Sequence, residues 1–331
     1  MSKVKLIDIA QEADVSVSTV SRVLNGVPTI SPVVRDHVLK VAEQLGYSKK
    51  PQKKQERFLN FGVICDRRFP HIIQYNVFDQ LYAGLEGECS KQNIQLTYLS
   101  EVGERDVSQS LDGIDGVLAI AVDANKTLDM LDNARVPVGL INSLQGQFKY
   151  DTTVPGGYWG ARIGTNYLLD EGHSDIVLIK HNQRETTDDR ERGFRDAIRE
   201  RLGADVTPPV FSVSVPPETW EVVQIIKEVQ AKQPVTAVFC TNDMVAFACL
   251  EAAQEMGLRV PQDISVLGFD NVPFSQRSTP PISTIDIDFT EVSREAVRKL
   301  IDRVKNKYRR PVRSEIAAKL VKRKSVATLK N

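Results

Sequence analysis

Cysteine is scarce in this 331-residue chain. Cys65, Cys89, Cys240 and Cys249 form no CxxC pair and no Cys/His spacing, which fits reduced thiols better than a disulfide framework or a zinc site. Neither a GxxxxGK[ST] loop nor a GxGxxG fingerprint occurs, so the usual phosphate cradles of kinases and dehydrogenases are missing. The four histidines show no nucleophile–base or metal spacing. No catalytic residue, metal or cofactor is expected, and the chain is not expected to be an enzyme. Long apolar runs are lacking too: Gly116–Val122 is among the longest, far short of the ~20 residues of a membrane span. Near the N-terminus, Lys3, Lys5 and Asp8 stand where a signal peptide would need an apolar core, so no export and a cytoplasmic location are expected. What remains, 41% hydrophobic and 26% charged residues, is the composition of a globular protein long enough for two domains and a small third unit.

Net charge is also lacking, at +0, but the balance conceals an asymmetry. Residues 1–58 hold ten basic side chains against six acidic ones, an excess of four that the remainder cancels. A basic head on an acidic body suggests that only the head seeks a polyanion; scattered surface charge is the plainer alternative.

The head reads as three short helices. Leu6, Ala10 and Ala13 make one apolar stripe, and a tight break follows at Asp14-Val15. Ser16 is a suitable N-cap for a second helix whose Val20, Val23 and Leu24 face the first, and Asn25-Gly26 ends it. Ser31-Pro32 opens a third helix, closed by Leu45-Gly46. This is a helix-turn-helix pattern, whose second helix presents its N-terminal residues to the major groove. Val17, Ser18 and Arg22 would then face base edges. Arg22 suits a guanine and Val17 a thymine methyl. Ser16, Thr19, Ser21 and Asn25 suit phosphate oxygens, which position without reading sequence. Lys5 and Ser31 complete the candidate DNA-binding set. A solvated serine-rich helix is the bland reading of the same residues.

From Phe61 the pattern alternates between apolar runs and helical spacing. Runs at 61–65, 94–99, 116–122 and 138–142 are followed by a second series at 176–180, 210–215, 237–241 and 264–270, with 285–289 and 315–321 closing the chain. Alternation of this kind predicts parallel sheets covered on both faces. Such sheets bind ligands beyond the C-terminal ends of their strands. The polar residues there are Asn142, Asn242-Asp243 and Asp270. Asn242, Asp243 and Asp270 could instead serve as caps. Trp159 and Trp220 read as core or helix-start residues rather than stacking platforms.

Residues 6–25, LIDIAQEADVSVSTVSRVLN, resemble the N-terminal signature of the LacI/GalR family of bacterial transcription regulators, and the likeness continues along nearly the whole chain. The resemblance implies an all-α helix-turn-helix headpiece followed by an α/β core of two doubly wound parallel-sheet lobes, like the type I periplasmic binding proteins. The expected boundaries are 1–47 for the headpiece, 48–60 for a basic linker and 61–331 for an effector-binding and dimerisation core. Within that core the N-lobe takes 61–156 and 290–318, and the C-lobe 157–289 and 319–331. The implied partners are near-palindromic operator DNA, a small sugar effector and a second copy of the chain. No leucine-heptad tail follows, so a dimer rather than a tetramer is expected.

The family's effector role carries over to Asn142, Arg190, Asn242 and Asp270, with Phe289 packing against the ligand. Arg190 stands three residues before Gly193, as the family's effector arginine does; read alone, it is one more charge in the run 188–192. Two features depart from the pattern. Asn142 occupies a position where many members have aspartate. The linker Ser48–Asn60, with five basic residues and one acid, lacks the hinge motif whose leucine wedges into the minor groove. Either Phe58 or Leu59 takes that wedge, or the segment is a linker running into the next strand. The connection 101–111 is too short for the helix most members carry, as in a branch that includes the evolved β-galactosidase operon repressor, which turns the expectation toward galactosides. A sugar-binding transport component is the alternative function.

Overall fold

Ser31 and Pro32 show how local the headpiece's instructions are. In a computed structural model describing residues 4–24, 30–47, 58–65, 77–99, 111–122, 125–144, 149–181, 184–306 and 309–329, the Ser31 hydroxyl accepts the Val34 amide at 3.4 Å and Pro32 is the first residue of its helix. The headpiece has α1 (Leu6–Glu12), α2 (Val17–Leu24) and α3 (Pro32–Gln44). Asp8 returns its carboxylate to the Lys5 amide at 2.7 Å, closing the start of α1. Asp14 takes a positive φ of 49° at the break, one of the residue types that tolerate it. Gly46, at φ 68°, ends the third helix, where a side chain would be strained. Ile9, Ala10, Ala13, Val20, Val23, Val38, Val41 and Ala42 form the small core. Ile9, which the expected stripe missed, is fully buried, whereas Leu6 is only half-buried. Asn25, the linker residues 48–57 and the segment 101–110 fall outside the described residues.

Residues 58–331 form the second compact unit, built on two sheets. The first contains β1 (Asn60–Cys65), β2 (Gln95–Tyr98), β3 (Gly116–Ile120), β4 (Val138–Ile141), β5 (Asp151–Pro155) and β11 (Arg313–Ile316), in the order β11-β5-β4-β3-β1-β2. The second contains β6 (Ile176–His181), β7 (Val210–Val213), β8 (Ala237–Cys240), β9 (Ser265–Asp270), β10 (Ser283–Asp286) and β12 (Lys319–Val321), in the order β12-β10-β9-β8-β6-β7. All pairings are parallel except β10 with β12. The central strands are buried along their length, as sheets covered on both faces require. The chain passes between the lobes three times: after β5, after β10, and between β11 and β12.

Two expectations need correction. The run 315–321, read as one strand, is two, separated at Ala317-Ala318 and paired in different sheets. Strand β5, Asp-Thr-Thr-Val-Pro, was not anticipated because it reads as polar. It is nevertheless buried, because distant groups satisfy it: Arg303 grips Asp151 through two bonds of 2.8 and 3.1 Å, and Lys299 donates to the Thr152 carbonyl at 2.9 Å.

Among the described residues eight further helices cover the sheets: α4 (Val77–Lys91), α5 (Asn125–Asp132), α6 (Gly157–Asp170), α7 (Glu185–Leu202), α8 (Thr219–Gln230), α9 (Asp243–Glu255), α10 (Pro273–Arg277) and α11 (Phe289–Lys305). Helices α4 and α11 meet so closely at Gly84 that a Cβ there would lie 2.2 Å from the Thr290 carbonyl. Helices α6 and α7 repeat the arrangement at Gly193, again 2.2 Å from a carbonyl, that of Tyr158. The aromatic core includes Phe61, Phe78, Phe194, Phe239, Phe269 and Phe289, all essentially inaccessible.

Candidate functional site

The outward face of α2 is fixed by its inward one. Val20 and Val23 are buried, so Val17, Ser18 and Arg22 project to the surface. Ser16 caps the helix by accepting the Thr19 amide at 3.1 Å, and its hydroxyl lies 2.7 Å from that of Ser18 and 2.8 Å from that of Thr19. Thr19 and Ser21 are half-buried on the flanks, and Lys5 and Ser31 are exposed. Val17 is 42% exposed, as Ile7, Leu39 and Val33 of the same headpiece are at 50%, 44% and 79%, so its candidacy rests on its place at the start of α2 and not on exposure.

In the core, Asn142, Arg190, Asn242, Asp270 and Phe289 all line one crevice. Asn142 follows β4, Asn242 follows β8 and Asp270 ends β9, which is where strand direction places a binding site. Arg190 reaches the crevice because helix α7 sorts the charges around it. Arg190 is 6% exposed, whereas the side chain of Arg192, two positions on, is 63% exposed and pairs with Asp189 at the surface. The buried guanidinium stacks over the Phe269 ring at 3.9 Å, donates to the Thr241 carbonyl, and sits 2.9 Å from Asp270 Oδ1. That oxygen accepts no aligned hydrogen bond, so the pair is a charge contact with bonding capacity left over. Asn242 is both a cap and a crevice residue: its side chain accepts the Val245 amide at 2.8 Å.

Among the described residues, sequence reasoning missed five polar crevice residues: His181, Arg184, Thr186, Thr187 and Ser214. His181 ends β6, so the strand-end rule could have found it had the strand been extended by one residue. Arg184 precedes α7 and donates to the Asn142 carbonyl, joining the two lobes across the crevice. Burial, together with the charges of Arg190, Arg184 and Lys180, pushes the His181 imidazole down to about 4, so it is neutral near neutral pH. Its Nδ1 is buried without a hydrogen-bond partner, as is Arg190 Nε. Burial pushes the Asp270 carboxyl above the usual range, and the Arg190 charge pulls it back. Buried polar atoms that the protein leaves unmet are rare in folded chains and call for a ligand or water. Trp159 and Trp220 lie outside this site. Each occupies a helix's first turn, but at 60% and 63% exposure neither belongs to the core.

Two family models match the chain: bacterial regulatory proteins of the lacI family over residues 5–50, and a periplasmic binding protein-like domain over residues 165–326. The transcriptional repressor PurR of Escherichia fergusonii is 31% identical, covering 97% of this chain and 96% of that protein. The chain belongs to the LacI family. PurR of Vibrio campbellii is 28% identical over 97% of this chain and 98% of its own. Among solved structures, the transcriptional regulator CelR in complex with cellobiose is 25% identical, with a TM-score of 0.70, covering 98% of this chain and all of that one. The lac repressor dimer bound to operator and an anti-inducer shares the fold, with a TM-score of 0.69 at 22% identity over 98% of this chain and all of that one. This member of the LacI family is accordingly a DNA-binding transcriptional repressor with a ligand-binding domain, and its partner is operator DNA. The expected fold class holds in both parts. Among the described residues no helix is long and apolar enough to cross a membrane.

Proposed function

We infer that the protein represses a sugar-utilisation operon and is released from its operator when a small sugar occupies the crevice. One observation carries this reading: three strand-end residues, Asn142, Asn242 and Asp270, converge with Arg190 on a crevice that retains unmet donors and acceptors. Sugars suit such a space. Planar carboxylate, amide and guanidinium groups take two hydroxyls at once, and Phe78 and Phe289 supply apolar faces. Cellobiose, the ligand in the CelR complex, is of this class. Galactosides are the preferred candidates, on the short connection 101–111. Two copies related by a two-fold axis would place their headpieces on a near-palindromic site inside the cell. Arg22 and Val17 would read bases, with Ser18 beside them, while Lys5, Ser16, Thr19, Ser21, Asn25 and Ser31 would hold phosphates.

Because the two binding events share one free energy, a sugar that lowers operator affinity must itself bind more weakly when operator is present, by the same factor. Thermal shift of the full chain with lactose, galactose, cellobiose and ribose, repeated with operator duplex, tests this. A sugar that raises the melting temperature and weakens operator binding is expected, whereas stabilisation by sugar with unchanged DNA affinity overturns the inducer role. Arg22→Ala should cost about 1–3 kcal/mol of operator affinity and relax specificity at one base pair, leaving sugar binding unchanged. Equal discrimination by this variant in fluorescence anisotropy rules out base reading by Arg22.

A further inference from the structure

Directly beneath Asp270 lies a carboxylate that the effector reading does not use. Asp243, the first residue of α9, is 1% exposed. Its Oδ2 accepts the Val272 amide at 2.9 Å, and its Oδ1 accepts the Thr284 hydroxyl at 2.6 Å. Gly268 of β9 makes room for it, since a Cβ there would sit 2.1 Å from Asp243 Oδ1. The segment so gripped is unusual. Asp270 and Asn271 are consecutive residues of positive φ, 97° and 52°; asparagine tolerates its value, whereas that of Asp270 persists only where the surroundings over-determine it. The surroundings are visible. Thr284 also accepts the Asn271 amide at 3.4 Å, Asn271 Nδ2 donates to Asp286 at 2.9 Å, and Arg323 donates to Asn271 Oδ1 at 2.6 Å.

We propose that Asp243 is a positioning residue of the effector crevice: through Val272 and Thr284 it clamps the strained turn that aims Asp270 at Arg190 and at the ligand. This rests on the reading of the crevice as the effector site. The clamp uses both oxygens: Oδ2 meets the Val272 amide, which can only donate, and Oδ1 meets the Thr284 hydroxyl, which can donate or accept. Asp243→Ala removes both contacts, whereas Asp243→Asn can keep them by accepting the amide and donating to the hydroxyl. Burial, with the Asp270 charge added, pushes the Asp243 carboxyl up to about 7, against the pull of its bonds to Thr284, Val272 and Ser275.

Hydrogen exchange of the 270–276 segment in the full chain without ligand reads the clamp directly. Asp243→Ala and Thr284→Val should exchange about tenfold faster there, and Thr284→Ser and Asp243→Asn, which keep both contacts, should match the parent. Calorimetry with lactose, cellobiose and ribose as probes reads the consequence. A probe that binds the parent should bind Asp243→Ala about tenfold more weakly. Unchanged exchange in both Asp243→Ala and Thr284→Val overturns the proposal, and so does an Asp243→Ala variant with the parent's affinity. If no probe binds the parent, the sugar reading is what fails, and the exchange result still decides the clamp.

Discussion

The first lobe's strands run β11-β5-β4-β3-β1-β2 and the second's β12-β10-β9-β8-β6-β7, so that equivalent strands hold equivalent places. In each lobe the helix entered from the other lobe, α11 or α6, packs on the helix after the first strand, α4 or α7. The strand ends nevertheless differ. The second lobe brings His181, Arg184, Arg190, Asn242, Asp243 and Asp270 to the crevice, while the first brings Asn142 and the apolar Val77, Phe78 and Phe289. One frame thus carries two surfaces: packing is duplicated, whereas among the described residues the polar crevice groups stand mostly in one lobe. Substitutions that act on packing should cost the same in both lobes, and substitutions that act on the ligand should not.

The largest expected effect tests the duplicated frame. Gly84→Ala and Gly193→Ala each drive a Cβ to 2.2 Å from a backbone carbonyl. Alanine in place of glycine normally favours a helix by about 1 kcal/mol, but separating two packed helices outweighs this, for a net loss of about 3 kcal/mol in either lobe. Chemical denaturation checks the pair, and a loss confined to one lobe breaks the equivalence.

Next comes the polar lobe. Arg190→Ala removes the charge beside Asp270, the Thr241 bond and the stack on Phe269, and should lower effector affinity about a hundredfold or more. The repressor would then hold its operator in the presence of inducer. Titration of operator-bound protein with sugar reads this directly, and an undiminished release shows that Arg190 is a structural arginine only.

The headpiece was legible from residues 6–46 because its instructions are local: a cap at Ser16, a cap and proline at 31–32, a glycine at 46. The crevice was legible where a polar residue follows an apolar strand, as at Asn142, Asn242 and Asp270. Arg190 came only from the family resemblance, since nothing within the run 188–192 tells which charge turns inward until the helix sets its phase. Strand β5 was illegible for a related reason. Its polar residues are satisfied by Arg303 and Lys299, about 150 positions away, and no local pattern announces a partner at that distance.

That distant pairing gives a smaller, pH-dependent prediction specific to the first lobe. Burial pulls the Asp151 carboxyl upward, but Arg303, the Val312 amide and Arg309 more than offset it and hold it below the usual carboxylate range. A depressed folded value means that the stabilisation is present above the unfolded value of about 3.9 and is lost as pH falls through the folded one. Asp151→Asn should cost about 2 kcal/mol at neutral pH by leaving Arg303 without its counter-charge, with the difference from the parent shrinking below about pH 4. Urea midpoints at several pH values check this, and a difference that stays constant down to low pH excludes a charge-based role.

The smallest effect concerns Asn142, the polar crevice residue of the first lobe among those described. Asn142 stands at φ 53°, a conformation that asparagine tolerates and glycine adopts freely. What it gives the crevice through a described bond is its backbone carbonyl, which accepts from Arg184. Asn142→Gly keeps that carbonyl and that conformation and removes only the carboxamide, so effector affinity should fall by about threefold, the share of one hydrogen-bonding side chain. Asn142→Val, which cannot hold a positive φ without strain, should also displace the carbonyl, release Arg184 and weaken the effector by about tenfold. A glycine variant with the parent's affinity would mean that Asn142 serves the crevice through its backbone alone.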